Sequence, residues 1–386
     1  MDNFLSKQRI DELKKQYYYS LKKSTENIKL SDSFYGPTPP NLLIGSYGYP
    51  NVKIGSMFSL NSPEYSANPS LMYGKTYSKI ITQFGLNMMG IGKSFVKNQL
   101  NEDINDSLLS YAPVSMEVDF KYKPLLNPVF SQYTIPSGFS APLKRIKLID
   151  NPKIPRVTYS VLNDDLLANE SVMKISLKTD VYYTTRLMSA GILGKEKNRR
   201  LVPSRWAITS VDDIIVKNNL TEIREFKQID KYEVYVNEFL HNRFVIVLIP
   251  GPWEYEQFEA WPLGSPWHGD NWGFNHEYEP FKGRKKYASS QAGGYYAARY
   301  GVVEHLYLRR KQAKAIVFRE IDSEYSIPVG VWQVRENVRR AMQNMPAVFD
   351  KLNEVIEYIK PLLKVDLNKY LKKDEILKQK KLFDFN

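Results

Sequence analysis

The spacing of apolar residues changes once along this chain, and no other feature limits the fold as strongly. Up to about residue 285 they come in short alternating runs cut by Pro and Gly, as in FYGPTPPNLLIGSYGYPN (34–51). That pattern suits strands, whose side chains alternate between two faces, joined by tight turns. SMEVDFKY (115–122), VMKISLKTDVYYT (172–184) and RFVIVLIPG (243–251) read as further strands, with a helix-like segment near Thr76–Leu100. Beyond a Trp-, Gly- and His-rich stretch at 253–276 the period lengthens. GGYYAARYGVVEHLYLRRK (293–311) and VGVWQVRENVRRAMQN (329–344) read as helices flanking a compact strand, AKAIVFREI (313–321). Pro346 then precedes an amphipathic helix, AVFDKLNEVIEYIKPLLK, interrupted at Pro361. The lysine-rich end, DLNKYLKKDEILKQKKLFDFN, predicts a surface helix followed by a mobile tail.

The expected fold is therefore α+β: a β-rich N-terminal part packed with a mainly helical C-terminal part, and a mobile C-terminal tail. The division is a helical lead-in at 1–33, a β-rich domain at 34–285, a mainly helical domain at 286–368 and a basic tail at 369–386. With 386 residues the chain can bury a real core. It has no cysteine, which excludes a disulfide framework, thiolate zinc, an iron–sulfur cluster and a thiol nucleophile. No apolar run approaches the roughly 18–20 residues that span a bilayer, and the start MDNFLSKQRIDELKKQYYY is charged, so no membrane association and a cytoplasmic location are expected. The net charge of +12, from 54 basic and 42 acidic residues, favours a polyanionic partner such as DNA.

Several familiar chemistries fail on spacing. GLNMMGIGKS (85–94) ends like a phosphate-cradling loop, but Asn87 stands where that loop needs Gly. No GxSxG frame is present. His268, Asp270, His276 and Glu277 could each ligate a metal, but they fit no compact ligand spacing, and no metal is expected. No cofactor is assigned.

The final eight residues, QKKLFDFN, carry the sharpest signal. Gln379, Leu382 and Phe385 stand at relative positions 1, 4 and 7; in one helical turn Leu382 and Phe385 project together, and Gln379 can hydrogen-bond at a pocket's edge. The segment resembles the PCNA-interacting peptide, by which repair and replication proteins dock on the sliding clamp. Asn386 stands where the second aromatic is usual, and Phe383 supplies compensating apolar surface. The bland alternative folds Leu382, Phe383 and Phe385 back onto the core.

Four blocks extend the resemblance to most of the chain: PNLLIGSYGYPNVKIG (40–55), RLVPSRWAITSVDD (200–213), FKGRKKYASSQAGGYYAARYGVVEHL (281–306) and FREIDSEYSIPVGVWQVRENVRRA (318–341). Together, in this order, they resemble the archaeal Nre proteins, a DNA-repair family. Many members begin with a cysteine-rich zinc motif, carry Arg at the position of Ser46 and end in a clamp-binding peptide. This chain has neither of the first two.

The same blocks supply candidate nucleotide- or phosphate-binding residues. Gly293 and Gly294 open a helix whose first N–H groups can face a phosphate, with Arg299 one to two turns on. Arg319 and Glu320 end a strand, and Arg335 shares a helix face with Arg339. Arg205, Trp206 and Asp213 offer a cation, a stacking surface and a carboxylate. In the bland reading the glycines permit close packing, the charges pair internally, Trp206 is core, and Asp212 and Asp213 cap a following helix. Two functions follow: a repair protein recruited to the clamp, with a body that binds DNA or a nucleotide, or an enzyme on a nucleotide or damaged nucleic acid whose reaction is unassigned. Convergence of the candidates in one cleft favours an enzyme or a nucleotide-binding protein, and dispersal as surface ion pairs favours an adaptor.

Overall fold

The computed structural model describes residues 12, 15–16, 18–23, 25–26, 28, 30–261 and 273–377. By contacts the chain forms two compact units. Lys15–Ile215 and Pro328–Trp332 make an amino-terminal unit, and Val216–Ile327 with Gln333 onward make a carboxy-terminal one.

The amino-terminal unit is built on a seven-stranded sheet of β1 (Ser33–Thr38), β2 (Leu42–Ile44), β3 (Asn51–Ser59), β4 (Asn87–Phe95), β5 (Val114–Phe120), β6 (Leu125–Val129) and β7 (Ser137–Leu148). Their order is β1-β5-β7-β4-β3-β2, with β6 also on β7, and only the β4–β7 pair is parallel. Its helices are α1 (Pro63–Ala67), α2 (Tyr77–Gly85), α3 (Glu102–Leu109), α4 (Arg156–Asn163), α5 (Ala168–Ser176), α6 (Val181–Ser189) and the first turns of α7 (Ser204–Ile223). The expected strand over 172–184 is thus two helices. Its Val172 and Ile175 are buried one helical turn apart, and the Asp180 carboxylate accepts from Tyr182 N and Tyr183 N to start α6. Likewise the helix near 76–100 stops at Gly85, and the rest is β4. Arg186 of α6, buried among this unit's apolar residues, donates to the Leu108 and Ser110 carbonyls at the end of α3. Burial lowers its pKa to about 10.

The carboxy-terminal unit holds a six-stranded sheet of β8 (Tyr232–Phe239), β9 (Asn242–Ile249), β10 (Glu254–Trp261), β11 (Gly273–Glu279), β12 (Lys314–Ile321) and β13 (Ala347–Phe349), ordered β11-β10-β12-β9-β8-β13. β12 lies parallel to β10 and antiparallel to β9, so a strand from the helical stretch sits in the middle of strands that precede it. The helices are α8 (Gly293–Arg309), α9 (Trp332–Ala341), α10 (Leu352–Ile359) and α11 (Leu367–Leu371). Residues 347–349, expected to begin a helix, pair with β8 instead. One face of this sheet forms an apolar core that draws in Val355, Ile359, Leu363, Tyr370 and Ile376. The lysine-rich end is therefore not wholly a surface helix, because Tyr370 is fully buried and Ile376 nearly so. Among the described residues no helix is long and apolar enough to cross a membrane.

Candidate functional site

In the strand text WEYEQFEAW, period-two alternation puts Tyr255, Gln257 and Glu259 on the face that meets α8, and Glu254, Glu256 and Phe258 on the other. Glu259 pairs in register with Arg319 of β12, and their side chains also meet, Arg319 Nη1 donating to Glu259 Oε1 at 2.7 Å. The guanidinium's other nitrogens donate to Asn242 Oδ1 at 3.1 and 2.7 Å. Asn242 itself donates to Leu240 O, and its carbonyl accepts from Asn337 of α9. Gln257 Nε2 adds a donor to Glu259 at 3.3 Å, and Tyr255 OH donates to Gln257 Oε1 at 2.6 Å. Burial pushes the Glu259 carboxyl above its usual range although Arg319 pulls the other way.

The start of α8 rests on this pair. A Cβ at Gly294 would stand 2.5 Å from Glu259 Oε1 and 3.1 Å from Arg319 Nη1, so glycine is what allows the approach. The sequence suggested a phosphate at this helix start. The anion beside it is the chain's own Glu259 carboxylate, favoured there by the positive end of the helix dipole. Five residues on, Arg299 Nη2 donates to Glu279 Oε1 at 2.7 Å. Glu279, fully buried, also accepts from Tyr295 OH at 2.9 Å and Trp253 Nε1 at 3.3 Å.

Arg335 and Arg339 share a face as their spacing requires, both guanidinium groups lying over the Tyr300 ring at 5.7 and 5.3 Å. Arg339 also binds Glu304 through two nitrogens, at 2.6 Å each. Glu320 follows Arg319 but points to the opposite sheet face. There it accepts from Lys364 N and Val365 N, both at 2.8 Å, and from Tyr370 OH at 3.0 Å. Glu256 on the same face takes Glu375 N at 2.8 Å and Ile376 N at 3.2 Å. Two buried carboxylates thus hold the backbone of segment 364–376 onto the sheet. Reasoning from sequence missed Glu256, Glu259, Glu279 and Asn242; the available signal was the run of three glutamates in an otherwise aromatic strand.

His276 stacks on Phe258 at 4.8 Å with Nε2 2.5 Å from Glu256 Oε1, and Glu277 accepts from Ser290 and Arg284. His268 and Asp270 lie outside the described residues, as do Gln379, Leu382, Phe383 and Phe385. Near the far end of α8, His305 faces Tyr235, Arg309 and Glu233, and burial with the Arg309 charge lowers its pKa to about 4.

Arg205, Trp206 and Asp213 belong to the amino-terminal unit. The Pro203 carbonyl already accepts from Trp206 N and Ala207 N, so α7 begins before them. Asp212 and Asp213 are inside the helix rather than at its cap, with Asp212 fully buried. Trp206 is not core: it is 40% exposed, its ring 5.3 Å from that of Tyr49. Arg205 is exposed and lies over Tyr133 at 5.3 Å. Gly92, Lys93 and Ser94 sit in β4, paired with β3, not in a loop leading to a helix.

Residues 13–268 match the archaeal Nre N-terminal family and residues 279–385 the archaeal Nre C-terminal family. The chain belongs to the archaeal Nre family. It is 33% identical over 339 residues to DNA repair protein NreA of Archaeoglobus fulgidus, covering 86% of this chain and 85% of that one. NreA of Haloferax volcanii is 32% identical over 93% of this chain and 90% of its own, and NreB of A. fulgidus 32% identical over 93% of each. No solved structure matches it. Within this Nre chain Arg299 and Arg319 lie in buried ion pairs around α8, and Arg205 and Trp206 are exposed at the start of α7.

Proposed function

We propose that this Nre protein acts in DNA repair, docks on the sliding clamp through Gln379, Leu382, Phe383 and Phe385, and meets DNA with its basic body. The observation that carries the repair role is the full-length similarity to proteins named for DNA repair. The burial of Arg299, Arg319 and Glu320 against internal partners supports a binding protein over a pocket enzyme. The anchoring of 364–376 supports clamp docking as well. Leu377 directly follows this anchored segment, and at about 3.4 Å per residue the docking peptide begins within a short reach of the body. A tether that short raises the local concentration of DNA for a body held at a clamp.

Calorimetric titration of the full chain, with and without residues 379–386, against the sliding clamp tests the docking. Heat of binding that disappears on truncation is expected. Equal binding by both forms, or by neither, removes the clamp from the proposal.

A further inference from the structure

We infer that the β2–β3 turn, the adjoining end of the β3–β4 ladder and the first turn of α7 form a platform for single-stranded DNA, on which Tyr47, Tyr49 and Trp206 stack bases while Lys53, Lys93 and Arg205 hold phosphates. The inference rests on the DNA reading above and names the form of DNA and the surface that takes it.

Three segments distant in sequence are tied into one surface by their backbones. Gly45 N donates to Lys53 O at 2.9 Å, Val96 N to Pro50 O at 3.0 Å, and Leu201 N to Val96 O at 2.8 Å. Ile44 N donates to Ser204 Oγ at 2.9 Å, fixing the start of α7 beside the turn. The turn closes through Asn51 N to Gly48 O at 2.9 Å, with Gly48 at φ +81° where a side chain would strain it. Held this way, the aromatic residues keep solvent-exposed surface: Tyr47 is 93% exposed, and Tyr49 and Trp206, packed ring against ring, 42% and 40%. Burying such rings is worth free energy, and leaving several at one rigid turn is a common mark of a binding surface.

The charge around them selects the occupant. Lys53 and Lys93 are exposed and lie directly opposite each other across the β3–β4 ladder, a like-charge placement that destabilises a free sheet and that a bridging phosphate would relieve. Arg205, next in sequence to Trp206, is exposed as well. Aromatic faces beside fixed cations match a chain that alternates bases with phosphates. They suit a single strand over a duplex, because bases in a duplex are already stacked on each other and offer no free face.

The test is fluorescence anisotropy on the full chain with labelled oligo-dT, a duplex of the same length and oligo-U, in a salt series. The wild type should bind oligo-dT most tightly. Tyr47→Ala and Trp206→Ala should each weaken oligo-dT binding roughly 5- to 100-fold, the range expected for one lost stack, with duplex binding little changed. Lys53→Gln and Lys93→Gln should each lower the salt slope by about one. Tyr47 touches solvent almost entirely, so its variant folds as wild type and keeps the test sound if Trp206→Ala does not. Duplex binding that equals or exceeds oligo-dT binding, with variants like wild type, overturns the platform and leaves the DNA reading intact. No binding to either DNA overturns both, and tighter binding to oligo-U transfers the surface to RNA.

Discussion

Both units carry arginines next to tyrosines, and the two regions use them in opposite ways. In the carboxy-terminal unit Arg299 and Arg319 are almost wholly buried, each against a glutamate that is itself buried. In the amino-terminal unit Arg205, beside the partly exposed ring of Trp206, and the paired lysines of the β3–β4 ladder stand in solvent. A guanidinium buried against a carboxylate at 2.7 Å is out of a ligand's reach, whereas an exposed one beside exposed rings is open to it. Arg186 shows that the division follows burial and not the unit, for it too is buried and spends its donors on backbone carbonyls. Residue type therefore says less about function here than the solvent exposure of the same type.

The comparison is sharpest where a buried pair is broken. Arg319→Met should cost about 3–5 kcal/mol in urea unfolding, since it strands the Glu259 charge in the interior, while Glu259→Leu with Arg319→Met should recover most of the loss. A single variant as stable as wild type would contradict the structural role assigned to the pair. Gly294→Ala forces a methyl against the Glu259 carboxylate and should cost about 1–3 kcal/mol by the same measurement. The fit of α8 is not tight if that variant unfolds at the wild-type urea midpoint.

His305 gives a smaller, pH-dependent effect. Its pKa falls from 6.5 to about 4 on folding, because burial and Arg309 disfavour the charged ring while Glu233 only partly offsets them. Between those values the unfolded chain holds a proton that the folded chain does not. Stability is then full above about pH 6.5 and declines as the pH falls toward 4, by at most about 1.4 kcal/mol per pH unit. Stability curves for wild type and His305→Phe should differ in slope across that window and run parallel above it; parallel curves throughout would remove His305 from the account. Smallest of all, Lys93→Gln should shift stability by no more than about 0.5 kcal/mol, toward stabilisation, because it relieves the repulsion with Lys53. A clear destabilisation would mean that the exposed cations serve the fold after all.

The strands at 115–120 and 242–249 and the helix at 293–309 were legible because apolar period and burial agree in them. The segment 172–184 was not, since VMKISLK satisfies a two-residue alternation as well as the i, i+3 spacing of Val172 and Ile175, and only packing chose between them. Among site residues, the shared face of Arg335 and Arg339 followed from helical spacing alone. Glu259 did not, because its significance depends on a strand partner sixty residues away and on the helix start that glycine lets approach it.

By itself the sequence determined membership in the Nre family, the α+β character and the absence of thiol chemistry. These depend on residue order and local period, which the chain carries whatever its fold. Tertiary structure alone decided that Arg319 faces Glu259 while Glu320 holds segment 364–365, and that Trp206 lies at the surface and not in the core. Which charges are neutralised and which rings stay bare is set by contacts between segments far apart in sequence, and no local pattern encodes them.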